Sequence, residues 1–414
     1  MRRLLSLGAA VAADQLAFAG AHLAFSLLLA RWLAPADYGT FAQVQSLLLV
    51  GLAFHAAVLT EPMLVHGRRT FEAVFERYLG VVLLGHALVS VAFAVTLASL
   101  LPLTAARSGL RDAAGAVAAG SPVLLLIPLL RRACSIRMAW AVAASGGVVY
   151  AAALVGQLAC ARQLGTLSVR DAMLCLVAAS VLAAGWIALR LGCRPRLFDF
   201  GLVRDVARTH WSYGRWALLA VLATWVPWNL HYLLLSRVLS LEEIGGLRAL
   251  QNLMLPTAHL SMALCAALLP PLAASLAKGR LREARAFTLR HLALYAVANA
   301  LYLAAVAWLG DELLTLLYGN AYVQLHPLAV QVAASQAPGG IVAALALAQQ
   351  ALGRSARTLV LWLPHMGLSL VFGVSGAMWG GVEGFVHGMF LASGLALPAA
   401  WALHRRWSPS DVPA

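Results

Sequence analysis

Four polar residues stand close together in an otherwise apolar stretch: Arg248, Gln251, Asn252 and His259. On one continuous helix they fall at about 0°, 300°, 40° and 20° around the axis, and so share a face. A guanidinium beside amides suits a pyrophosphate or sugar hydroxyls, because Arg makes forked contacts with phosphate oxygens. The plainer reading has Arg248 snorkelling to a membrane surface while the amides bond across helices. Asp14 is the one carboxylate well inside an apolar run, followed by Gln15 and His22. Gln15 and His22 share a helix face, with Asp14 on the same side. An intramembrane acid is a candidate for ion coupling, so Asp14 and His22 are carried as that pair. The alternative is a buried acid held neutral or paired with another helix. Further on, Trp225, Asn229 and Tyr232 recur at i, i+4 and i+7 beside Pro227, Trp228 and His231. They form either a sugar-stacking wall or an aromatic belt at the membrane interface, and the belt is the preferred reading.

These residues need a scaffold, and composition supplies it. Hydrophobic residues make up 62% of the 414 and charged residues 11%, against roughly half and a quarter in soluble domains. A chain so apolar uses lipid as solvent, and its continuous apolar runs specify helices, not barrel strands. At roughly 20 residues per span, twelve spans are expected: 4–30, 40–64, 78–102, 114–130, 139–161, 172–193, 213–236, 246–275, 291–310, 324–352, 358–378 and 385–403. The first begins Met-Arg-Arg and carries Asp14, which fits an uncleaved membrane helix better than a signal peptide. The eighth and tenth are long, and breaks are expected at Pro256 and at Pro338-Gly339-Gly340.

Residues 27–49 and 233–255 agree at nine of 23 positions at an offset of 206, including Arg31/Arg237, Gly39/Gly245 and Gln45/Gln251. Such self-similarity reports a repeated unit. The expected organisation is two six-helix lobes, 1–200 and 201–414, with Gly39 and Gly245 at tight turns. Of the 30 Lys and Arg, 23 fall at the termini and even-numbered connections, Arg68, Arg131, Arg132, Arg194, Arg196 and Arg406 among them. The positive-inside rule then puts both termini in the cytoplasm and makes the repeat parallel. The same rule explains the +14 net charge without a nucleic-acid partner.

Family resemblance rests on residues spread along the chain. Leu33-Ala34-Pro35-Ala36-Asp37-Tyr38-Gly39-Thr40-Phe41-Ala42 after helix 1 is one such motif, and His210-Trp211-Ser212-Tyr213-Gly214-Arg215-Trp216 is another. Gly245 to Leu253 and Leu316-Leu317-Tyr318-Gly319 complete the set. In order and spacing the chain resembles the polysaccharide transporter branch of the multidrug/oligosaccharidyl-lipid/polysaccharide exporter superfamily. The resemblance implies a two-lobed helical transporter of the bacterial inner membrane, working by alternating access. Its cargo would be a polyprenyl-pyrophosphate-linked glycan, with membrane lipid and polysaccharide assembly proteins as partners. Arg215 joins the cavity candidates on this basis. Span 1 departs from the pattern, carrying Asp14 where a cationic cavity would be expected.

An enzyme is not expected. The sequence has no Walker motif, HExxH or catalytic acid pair in a polar loop, and its connections are too short for a catalytic domain. The five cysteines carry no metal-ligand spacing, so neither metal nor cofactor is expected. A small-molecule exporter of the same architecture and a non-transporting component of a polysaccharide assembly complex are the rival readings.

Overall fold

Runs of apolar side chains give helices here because lipid offers no partner for a free backbone N–H or C=O. A computed structural model describes residues 2–104, 108–192, 200–225, 229–352 and 355–405. Among these no strand occurs, and eight helical stretches are long and apolar enough to cross a membrane. Two of the eight, 281–351 and 356–404, run for 71 and 49 residues, more than one crossing needs. The protein is an all-α, multi-pass membrane protein. Pro227, Trp228, Arg194, Arg196 and Arg406 lie outside the described residues. Two compact units are present, Met1–Leu222 and Ala223–Ala414.

The first unit contains α1 (Arg2–Trp32), α2 (Pro35–His55), α3 (Glu61–Arg69), α4 (Phe75–Leu100), α5 (Ser108–Leu124), α6 (Leu126–Ile136), α7 (Trp140–Gln163), α8 (Val169–Leu191) and most of α9 (Phe200–Trp225). α1 packs on α7, α7 on α8, and α5 on α2, α4 and α8. Prolines shape the interior. Pro62 has no N–H, so the carbonyl of Val58 loses its helical donor. The helix widens into π geometry over Ala56–Thr60, and His210 Nδ1 donates to Val58 O at 3.3 Å. His210 Nε2 then accepts from the buried Tyr78 hydroxyl at 2.8 Å. Pro122 likewise strips the donor from Ala118 O, which Ser121 Oγ replaces at 2.9 Å. The helix stops at Leu125, and the Pro122 carbonyl accepts from His86 Nε2 at 2.9 Å. In the neutral pair His86 Nδ1 accepts in turn from His55 Nε2 at 3.0 Å.

The second unit contains α10 (His231–Leu234), α11 (Leu241–Asn252), α12 (Leu255–Ala277), α13 (Leu281–Tyr318), α14 (His326–Ala334), α15 (Gln336–Ala351), α16 (Ser355–Leu368) and α17 (Val374–Arg405). α12 packs on α13 and α15, and α17 on α14, α15 and α16. The eighth expected span breaks at Leu253–Met254, with Pro256 in the first turn of α12, where a missing N–H does no harm. The tenth breaks at Ser335, with Pro338 in the first turn of α15. Tyrosines of α13 recover the orphaned carbonyls: Tyr318 donates to Ala249 O at 3.0 Å, and Tyr302 donates to Leu253 O.

Gly39 and Gly245 correct the sequence reading. Both are buried inside helices, in α2 and α11, and neither makes a turn. Pro35 opens α2, and Ser240 opens α11 through a capping box with Glu243, whose N–H donates to Ser240 Oγ at 3.2 Å. Those residues fix the helix starts, so no left-handed glycine is required. A glycine turn does occur later. Gly381 at φ 60° folds α17 back on itself, and a Cβ on Gly376 would lie 2.1 Å from the Gly384 carbonyl oxygen.

Candidate functional site

A cavity of about 490 Å³ lies wholly within the second unit, a size typical of small-molecule sites. α10 to α17 each contribute to its wall. Amides come from Gln251, Gln336 and Gln350, and hydroxyls from Ser261, Ser335 and Ser393. Tyr232, Tyr295, Trp362 and Phe385 supply rings, with His231 and His365 beside them. No Asp, Glu, Lys or Arg lines it among the described residues. The remaining wall is aliphatic, which is how the lipid-solvated helices close around it.

Two lining groups are held firmly. Gln251 Oε1 accepts from the Tyr232 hydroxyl and from Arg248 Nη1, both at 2.6 Å. The Arg248 guanidinium also lies 5.9 Å from the centroid of the Tyr232 ring. Tyr295 donates to the Gln336 carbonyl at 2.9 Å, and its ring occupies the space a Cβ on Gly340 would need, 1.8 Å away. The glycine there serves this close approach, since α15 runs through it unbroken.

The sequence stripe is therefore divided. Arg248 and Gln251 do meet, and Gln251 enters the cavity wall, but Arg248, Asn252 and His259 do not line it. Asn252 is buried at the end of α11. His259 belongs to α12, is exposed, and donates from Nδ1 to the Leu255 carbonyl at 2.8 Å. The break at Leu253–Met254 ends the continuous helix on which a shared face depended. Arg215 is exposed on α9 in the first unit, its guanidinium 5.5 Å from the Trp216 ring. Tyr232 also corrects its reading: it is 1% exposed and faces the cavity, so it is no member of an interfacial belt.

In the first unit Asp14 is buried in a forked ion pair with Arg131, at 2.7 Å to Nη2 and 3.1 Å to Nε. Arg131 also covers the Phe18 ring at 4.2 Å. The charge tally places Arg131 in a connection, whereas it lies on α6. Its neighbour Arg132 interacts with Glu61 as well as Asp14, so two acids balance two arginines. His22 lies 3.3 Å from the Tyr150 hydroxyl and within reach of the Arg131 charge, though it shares no hydrogen bond with Asp14 or Arg131.

Sequence reasoning missed Tyr295, Gln336 and Gln350 in the cavity and the His55–His86 pair in the first unit. A signal existed for Tyr295. His291, Tyr295 and Asn299 recur every fourth residue and are all buried on one side of α13.

The family model described as "Polysaccharide biosynthesis protein" matches residues 28–327. The chain belongs to that family. This bears out the resemblance to the polysaccharide transporter branch. Among solved structures, an inward-facing multidrug-resistance transporter of the MATE family in the MOP superfamily is similar at a TM-score of 0.77 and 13% identity, covering 95% of this chain and 94% of that one. The lipid II flippase MurJ, in an inward closed conformation, is similar at 0.75 and 9%, covering 99% and 89%. A point mutant of the Vibrio cholerae MATE transporter VcmN follows at 0.66 and 15%, covering 98% and 96%. These likenesses establish the MOP-superfamily fold. Comparison with curated proteins found no match.

Proposed function

We propose that the protein is a translocase that moves a lipid-linked oligosaccharide, or a related polysaccharide precursor, between membrane leaflets. The observation that carries this reading is the match to the polysaccharide biosynthesis family over residues 28–327. The MOP-superfamily fold shared with MurJ supports it. Two lobes would alternate access to the polar headgroup while the polyprenyl tail stays in lipid. Differential binding of headgroup or ion to the two states would bias the change. The expected setting is the bacterial inner membrane with both termini cytoplasmic, as the basic-residue asymmetry indicates. Asp14, in its ion pair with Arg131, and His22 are the candidates for ion coupling.

The test is deletion of the gene. Loss of surface polysaccharide with build-up of its lipid-linked precursor is expected, and a deletion strain with neither change overturns the proposal. Export of small drugs is the second reading, favoured by likeness to multidrug-resistance transporters. It predicts drug hypersensitivity of the same strain with normal surface polysaccharide.

A further inference from the structure

The second-unit cavity has a chemistry of its own. We propose that it is a binding site for an uncharged sugar unit of the glycan and does not take the pyrophosphate. This inference rests on the translocase reading for its source of ligand, though not for its geometry.

Charge decides first. A phosphate or a uronate entering the cavity would give up its water without meeting a fixed positive charge, and an amino sugar would meet no carboxylate, because no Asp, Glu, Lys or Arg lines the wall among those described and its two histidines, His231 and His365, carry no fixed charge. The nearest arginine in the hydrogen-bond network does not supply one. Arg248 gives Nη1 to Gln251 Oε1 and lies near the Tyr232 ring; its buried Nε–H has no hydrogen-bond partner among the described residues, but the residue is not part of the cavity wall. It is a positioning residue: with Tyr232 donating to the same oxygen, it fixes the plane of the Gln251 amide.

Polarity decides second. Three glutamine amides and three serine hydroxyls reach the wall from α11, α12, α15, α17 and the α14–α15 junction. Amides and hydroxyls both donate and accept, as sugar hydroxyls do. Ser335 Oγ and Gln251 Oε1 are already bonded within the protein; an acyl or prenyl chain filling this space would leave the remaining amide and hydroxyl capacity facing hydrocarbon, with the penalty of unmade hydrogen bonds. Rings decide third. Tyr232, Tyr295, Trp362 and Phe385 line the same space. Tyr232 and Phe385 pack on His231, so the half-buried Trp362 is the ring best placed to take the C–H side of a pyranose while the polar groups meet its rim. Amides, hydroxyls and rings without a charge together describe a neutral saccharide.

The experiment uses the full chain in lipid nanodiscs free of glycoside detergent. Binding of three disaccharides is followed by saturation-transfer NMR: maltose as the neutral probe, digalacturonate as the anion and the glucosamine dimer as the cation. Maltose should bind best. Ala343→Phe, which fills the cavity, and Gln336→Leu, which keeps its bulk, should each weaken maltose binding at least tenfold. Leu189→Ala on α8, 84% exposed in the other unit, should not change it, and monodisperse elution checks that each variant is folded. Tighter binding of either charged sugar overturns the proposal, as does unchanged maltose binding in both cavity variants. A tightly held lipid that maltose fails to displace overturns it too. The deletion phenotype is read separately. Normal surface polysaccharide with intact maltose binding removes the translocase reading and leaves the site, while a transport defect with no maltose binding does the reverse.

Discussion

Asp14 and Arg131 are 117 residues apart in sequence and join in a forked ion pair inside the first unit, with 2.7 Å between Nη2 and Oδ2. Breaking a buried pair by removing one partner costs about 3–5 kcal/mol. Since the Arg131 side chain is 21% exposed, the lower end applies. Asp14→Asn and Arg131→Met should each destabilise by about 3 kcal/mol. The double variant Asp14→Asn/Arg131→Met should lose less than the two singles combined, because no charge is left unpaired. Thermal unfolding of the purified protein measures all three. Additive losses would show that the two residues do not work as a pair.

His210 joins α9 to the π segment and to α4. His210→Phe would leave both Tyr78 Oη and Val58 O without their partner, and each unsatisfied group costs about 1–3 kcal/mol. Tyr78→Phe removes one partner only and should cost about 1 kcal/mol. A thermal midpoint lower for Tyr78→Phe than for His210→Phe would contradict the proline-linked role given to this histidine.

Arg248 and Tyr232 act on one oxygen. If their task is to orient Gln251, Arg248→Met and Tyr232→Phe should each slow glycan translocation in membrane vesicles by about fivefold, corresponding to about 1 kcal/mol. The double variant should be little worse than the weaker single, since neighbours sharing a partner are not additive. Retention of wild-type rate by Arg248→Lys together with loss by Arg248→Met would point instead to a charge held for a headgroup.

Gly340→Ala tests the close approach of Tyr295. The added methyl collides with the ring, forcing it off the Gln336 carbonyl and into the cavity. Overpacking of this kind costs about 1–3 kcal/mol. Maltose binding should fall with stability, and replacing Tyr295 by Leu in the same chain should recover part of the stability. Unchanged melting in Gly340→Ala would mean that the ring yields freely.

Composition and continuity of the apolar runs were enough to specify a helical membrane protein, because lipid imposes backbone pairing within each segment whatever the side-chain detail. Family membership was legible from residues scattered over the chain, including the motif at 33–42. Local rules also marked the break near Pro256. Their consequences were not local. A proline announces a lost donor, but only packing chose His210 to replace it at Val58, and Tyr302 to reach Leu253 past the helix break.

The same limit governs the candidate site. Arg248 and Gln251 were visible as a polar pair one turn apart and Tyr295 left a trace in its spacing with His291 and Asn299, while Gln336 and Gln350 were hidden in apolar spans because nothing in their spacing says what they face until helices converge. Periodicity assumes an unbroken helix, and two turn residues at 253–254 were enough to send His259 elsewhere. The sequence by itself determined the solvent, the helices and the family. Tertiary packing decided that Asp14 has a partner, that Arg248 serves Gln251, and that the second unit encloses an uncharged cavity. Each of those depends on distances between segments remote in the chain, and no residue spacing encodes such a distance.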